Sequence, residues 1–549
     1  MKKLLPIVVI LAALAAALWL VRPAYRASKE KKFAAQAEEA LAKGEHRKAL
    51  VNAQQVLVLN SNNVTACLVM AELADLSRSP NVMVWRRRVA EIDPSRSNRL
   101  VLAAAALRYE APPFPTAAQT LGELASATND AAFHLVSAQL ALKQNRLSDG
   151  EKHIEEAIRL EPANDSHRIN LNVIRLESRD RAVSAVAQAE LARRTNSAQA
   201  LRALVVHFAG RRNFADAARY SASLVQVTNS LWSDKLEHLG VLRGAESPGF
   251  DPYLATLQAG AATNAFAASE LVTRLTELGL AERALAWVKS LPAPMQKESP
   301  LPMTVASALF SMARWRELEE TLTAQNWDDR EFARKALLTY AVRKQGAADV
   351  AAAHWRDASK LAGDRPELLG ALAQMSAAWG WTNETTVLLW RAAKEFPKER
   401  WPLESLQSIY LRLGNTPGLL EVNALALERQ PANAAAQNNW AALALLLNTN
   451  LNRAHEVARQ VYERNTNNFA FVSTYAWSLR QQGRGGDALK LMEILPAAQL
   501  GDPSVAGYYG VLLLEAGQKE KARSYLDKAA SASLLPEERQ FIAAARQKL

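Results

Sequence analysis

Along this chain, apolar residues recur with the spacing of a helix face, and the runs come in pairs separated by polar turns. In "NRLSDGEKHIEEAIRLEPAND", Ile154, Ala157, Ile158 and Leu160 form one stripe, while Glu151, Lys152, Glu155, Glu156 and Arg159 face the other way and Pro162 closes the segment. That pattern predicts an amphipathic helix ending before Pro162. A helix this short cannot bury its own stripe. The stretch just upstream, "AAFHLVSAQLALKQ", has a second apolar face, so the predicted unit is helix, turn, helix.

The unit repeats. With a small or apolar residue early in the second helix as anchor, copies fall at Ala49, Val82, Ala117, Gly150, Ala182, Ala217, Pro252, Ala284, Leu318, Ala351, Thr385, Leu419, Ala454, Ala488 and Ala522, spaced 32 to 35 residues apart. Five residues before the anchor stands Gly44, Gly279, Gly346, Gly380, Gly414, Gly483 or Gly517, in seven of the fifteen copies. With only 22 glycines in 549 residues, that recurrence marks a turn requiring positive φ. Pro94, Pro162, Pro397 and Pro431 each follow their anchor by twelve residues, just past the second helix. The placements at Ala182 and Pro252 have a residue or two of freedom, which the glycine and proline spacings do not share.

A unit of about 34 residues, with a turn glycine, an Ala early in the second helix and a closing Pro, resembles the tetratricopeptide repeat. The resemblance covers roughly residues 30 to 535. It implies an all-α, right-handed superhelical solenoid of about fifteen repeats, whose first helices line a concave groove where protein or peptide partners lie. The pattern departs at "RGAESPGFDPYLATLQAGAATN", with two prolines in the turn region, and at "LPAPMQKESPLP", which shortens one second helix. The expected organisation is therefore a segment 1–29, a proximal arm 30–290, a proline-rich hinge or loop 291–302 and a distal arm 303–549. A composition 49 % hydrophobic, with little strand-like alternation, agrees with helix pairs.

The start, "MKKLLPIVVILAALAAALWLVRPAYR", runs from Leu4 to Val21 without a charge. At about 1.5 Å per residue this spans roughly 27 Å, the low end for a membrane crossing. The expectation is a single-pass N-terminal transmembrane helix, 4–21, in an inner membrane, with a cleaved signal as the competing reading. The repeats are expected on the periplasmic side, with the cytoplasmic side as the alternative suggested by Arg22, Arg26, Lys29, Lys31 and Lys32. The lone cysteine, Cys67, excludes a disulfide framework.

Nothing in the chain points to an enzyme, a metal or a cofactor. The eight histidines are scattered singly, and "GRGG" at Gly483 to Gly486 falls on a repeat turn, not in a phosphate-binding loop. The net charge of +11 is modest for the length, and the densest basic cluster, "WRRRVAEIDP", sits on a predicted second helix as a solvated face, so no nucleic-acid partner is expected. Side chains 15, 11, 8 and 7 residues before each anchor should face the groove. From Ala336 onward these become polar and aromatic: Tyr340, Arg343, Lys344, Gln374, Arg412, Asn439, Trp477, Arg480 and Gln481, joined by Glu404, Ser408 and Ser473. Trp, Tyr and Arg carry much of the energy of interfaces. The expected function is a membrane-anchored, non-catalytic scaffold binding a protein or peptide in this groove. The alternative is a subunit of an exopolysaccharide export or envelope assembly system, touching synthase or polymer.

Overall fold

The computed structural model describes residues 25–549 apart from 77, 78, 80, 126–128 and 531. The predicted membrane segment 4–21 lies outside the described residues. Among those described, no helix is long and apolar enough to cross a membrane. This corrects the expected single-pass membrane location, which rested on the apolar run alone.

Every regular element among the described residues is helical, and none is a strand. The helices alternate as predicted. The opening segment forms the pair Ala131–Lys143 and Leu147–Leu160, with Gly150, Ile154 and Ala157 buried between them. Gly150 is small for a reason: a Cβ there would lie 2.8 Å from the side chain of Leu142. Ten of the helix starts are fixed by side-chain caps. Asp130, Asn164, Asp180, Ser197, Asn213, Asn264, Asn415, Asn433, Asn468 and Asp502 each accept a backbone N–H from the first turn of the helix they precede.

Fifteen helix pairs run through the described residues, followed by one further helix, Pro536–Arg546. Thirteen of the fifteen anchors are buried, all but Ala182 and Pro252. In those two copies Ser184 and Leu254, two residues on, take the inward position; the Ser184 hydroxyl donates to the Leu176 carbonyl, and Leu254 is buried. All seven turn glycines have positive φ, from 63° to 87°. Asn145, Arg212 and Ala313, at the same position in three other copies, adopt φ of 61°, 58° and 55° without the benefit of glycine.

Hydrogen bonds between neighbouring pairs keep the period. Tyr109 donates to Asp75, Arg202 holds Asp234 through two N–H groups at 2.6 and 2.8 Å, Arg211 reaches Glu177, Arg314 reaches Glu282 and Arg480 reaches Glu515. The helices gather into two compact units, one ending at Thr263 and the other running from Asn264 to Leu549. The division falls at the end of the aberrant 243–264 segment. The proline-rich stretch 291–302 lies within the second unit, where the helix Ala281–Ser290 stops early and a single turn, Ala293–Gln296, leads to Leu301–Ser311.

Candidate functional site

In the second unit, the first helices Pro366–Ala378 and Trp401–Leu413 lie side by side. Each begins with a proline in its first turn, where the missing N–H costs nothing. Leu369, Leu372 and Ala373 on one, and Leu406 and Tyr410 on the other, are buried against the second helices. That leaves Gln374, Glu404, Ser408 and Arg412 exposed on the opposite face. Gly370 brings the two helices close, since a Cβ there would sit 3.3 Å from the indole of Trp401.

Between these helices is a cavity of about 490 Å³, whose walls include Gln374, Glu404, Ser408 and Arg412 and whose floor includes Ala373, Ala377, Leu389 and Ile409. Arg412 offers a guanidinium fork in the last turn of its helix, and Glu404 an exposed carboxylate 3.8 Å from the Arg400 Nε. Among the described residues Arg412 makes no ion pair, and Gln374 and Ser408 have no side-chain hydrogen bond. The cavity thus presents unengaged donors and acceptors around an apolar floor. That combination suits an extended chain with alternating polar backbone and apolar side chains.

The other expected groove residues are not brought to this cavity. Tyr340 sits in an aromatic cluster, with ring centroids 4.8 Å from Phe310, 5.4 Å from Trp315, 4.9 Å from Trp379 and 5.5 Å from Trp381. Arg343 lies 4.5 Å over Trp381 and bonds Glu384 at 2.6 Å, and the Lys344 ammonium lies 5.3 Å from the Tyr340 ring. The rings of these tryptophans meet at the turn-side ends of adjacent pairs, a convergence that the spacing within one repeat does not show. Asn439 is exposed on its own helix. Arg480 and Gln481 are struts: Arg480 makes a two-pronged bond to Glu515, and the Gln481 amide donates to the Leu445 carbonyl and to Asn448.

Trp477 requires a correction. Expected to be open to a partner, it is only 5 % exposed, and its ring centroid lies 4.5 Å from Phe541 and 5.0 Å from Tyr508. The register carries no information about what covers this side chain. The cover is the chain's own last helix, Pro536–Arg546, for which the repeat pattern gave no signal. Thr416 donates its hydroxyl to Glu537 at 2.5 Å across 121 residues of sequence, and Tyr508 donates to Glu538 at 2.5 Å. Burial and the neighbouring Glu538 carboxylate raise the Tyr508 phenol well above its ordinary value.

A larger groove, about 1220 Å³, runs along the second helices, past Trp390, Glu421, Trp440 and Arg453. Its cations are already engaged. Arg453 lies 4.8 Å over Trp440, Lys394 lies 5.9 Å from the Trp390 ring, and Arg391 pairs with Glu395. A ligand there would have to displace those contacts, whereas Arg412 and Gln374 have none to give up. Among the described residues no cluster of three or more His, Cys, Asp or Glu is placed to hold a metal.

The fold is a stack of tetratricopeptide-like helix pairs. No family model and no curated protein matches the chain. Among solved structures it is similar to the Cut9–Hcn1 hetero-tetramer of APC/C, at 13 % identity, 93 % of this chain, 98 % of that one and a TM-score of 0.23. Naa15/Naa10 bound to HypK-THB is similar at 14 % identity, 94 % of this chain, 78 % of that one and a TM-score of 0.23. A tetratricopeptide repeat protein from Parabacteroides merdae is similar at 17 % identity, 45 % of this chain, 96 % of that one and a TM-score of 0.25. Scores this low carry no argument about function, and the fold rests on the chain's own helices.

Proposed function

We propose that the chain is a non-catalytic scaffold that holds an extended protein or peptide segment against the first helices of its second unit. One observation carries the reading: Gln374, Glu404, Ser408 and Arg412, drawn from two successive repeats, converge on one cavity, and among the described residues the amide, the hydroxyl and the guanidinium have no partner. Arg412 and Glu404 select opposite charges along the segment, Gln374 pairs with its backbone, and the floor around Ile409 takes an apolar side chain.

The test is a displayed peptide library selected against the purified chain. The best binders should lose about ten-fold in affinity, roughly 1.4 kcal/mol, on Arg412→Ala or Gln374→Ala. The melting transition should stay in place, because both side chains are exposed and unpaired. Binders indifferent to both changes would contradict the assignment.

A further inference from the structure

The last helix does more than finish the stack. A helix that only closed the final pair would need contacts with that pair, such as Ile542 against Gly507 and Ala529. This one reaches further. Leu535 is buried with Leu406 and Tyr410, Pro536 lies against the turn glycine Gly414, Glu537 accepts from Thr416, and Phe541 covers Trp477. Its seat is thus drawn from three of the last four pairs, beginning two residues beyond Arg412, where the open cavity ends.

The seat has the features of a recognition site. It contributes a hydroxyl and a phenol that read the two carboxylates of the first helical turn, and two glycines where Pro536 and Ile542 come closest. A Cβ at Gly507 would lie 2.5 Å from Ile542, and one at Gly414 3.2 Å from Pro536. The fit is incomplete, however. Beside the helix remains a cavity of about 190 Å³, bordered by Asn438, Ser473, Trp477, Tyr508 and Glu538. Two buried polar atoms around it, the Trp477 Nε1 and the Asn438 Oδ1, have no hydrogen-bond partner among the described residues. A segment that filled this space and paired those atoms would fit better than the resident one.

We propose that residues 535–546 are an internal ligand: they close in cis a helix-binding seat that accepts, in trans, an amphipathic helix of the same chemistry. That partner carries two carboxylates in its first turn and an aromatic-aliphatic pair at the spacing of Phe541 and Ile542. The inference rests on the proposed use of first-helix faces for binding, and it extends the site beyond Arg412 once the resident helix has left.

Two measurements test it. Hydrogen exchange on the full chain should show the amides of 538–546 opening locally, at least ten-fold more often than those of 505–515. Exchange of both segments at one rate would make the helix an integral part of the last pair and overturn the proposal. A fluorescein-labelled peptide of residues 533–549 is the second probe. It should bind a Phe541→Asp, Ile542→Asp chain at least ten-fold more tightly than the unaltered chain.

It should not bind an oxidised Gly507→Cys, Ile542→Cys chain; once reductant is added, a 533–549 peptide carrying Ile542→Ala, which leaves room for the thiol introduced at position 507, should bind, since the Ile542 Cγ1 lies 3.2 Å from a Cβ built at Gly507, where a bridging sulfur would sit. Equal binding to all three forms, or none to any, would refute the seat. If the double Asp chain fails to fold, the exchange rates alone decide. Library peptides that still depend on Arg412 would leave the scaffold reading standing while this extension fell.

Discussion

At the scale of single residues, the turn position shows how far sequence spacing reaches into geometry. Gly346 has φ +87° and nothing within 4 Å of where a Cβ would stand, so any loss on substitution is conformational, not steric. Gly346→Ala should therefore cost about 1 kcal/mol. Gly346→Asn should cost less, since Asn145 holds the same place elsewhere. Urea denaturation of the two variants measures the difference. Trp477 teaches the opposite lesson. Its register was legible, but its environment depends on a helix folded back from the end of the chain, which no local pattern encodes. Trp477→Ala should lower stability by about 3 kcal/mol, instead of acting only on binding. Gln374 and Arg412 were legible because an exposed polar side chain needs only its own helix face to be right.

At the scale of elements, the histidines shunned by any metal-binding pattern turn out to tie helices together. His238 hydrogen-bonds Ser221 at 2.7 Å, His134 meets His153 at 3.0 Å and His455 meets Ser478 at 2.8 Å. Burial holds His153, His238, His354 and His455 below the ordinary imidazole value, with a neighbouring His134 adding to the effect at His153. Each unfolded imidazole takes its proton near pH 6.5, while its folded counterpart waits for a lower pH. The stability they contribute is thus fully present above about pH 6.5 and is lost as the pH falls from there through the folded values. The urea midpoint should drop between pH 6.5 and 5, and the drop should shrink in His238→Asn. A slope unchanged by that substitution would contradict the assignment. The pairing of helices itself was readable from glycine and proline, because a turn constrains φ wherever it occurs. Only at Ala182 and Pro252 did the anchor miss the buried position, which Ser184 and Leu254 take two residues on.

At the scale of the molecule, what the repeat pattern conveyed was the stack, and what it could not convey was which face is free. The division after Thr263 follows a segment whose prolines broke the pattern visibly. The free face is a matter of which polar groups find partners, and those partners lie one or two repeats away. The central claim is that a partner segment lies on the first helices of the second unit and not in the larger groove along the second helices. Hydrogen-exchange mass spectrometry of the chain with and without a library-selected peptide decides between them. The account predicts slowed exchange in Pro366–Ala378 and Trp401–Leu413, abolished by Arg412→Ala. Slowing confined to Thr382–Glu395 and Leu451–Arg464, beside Trp390 and Arg453, would contradict it.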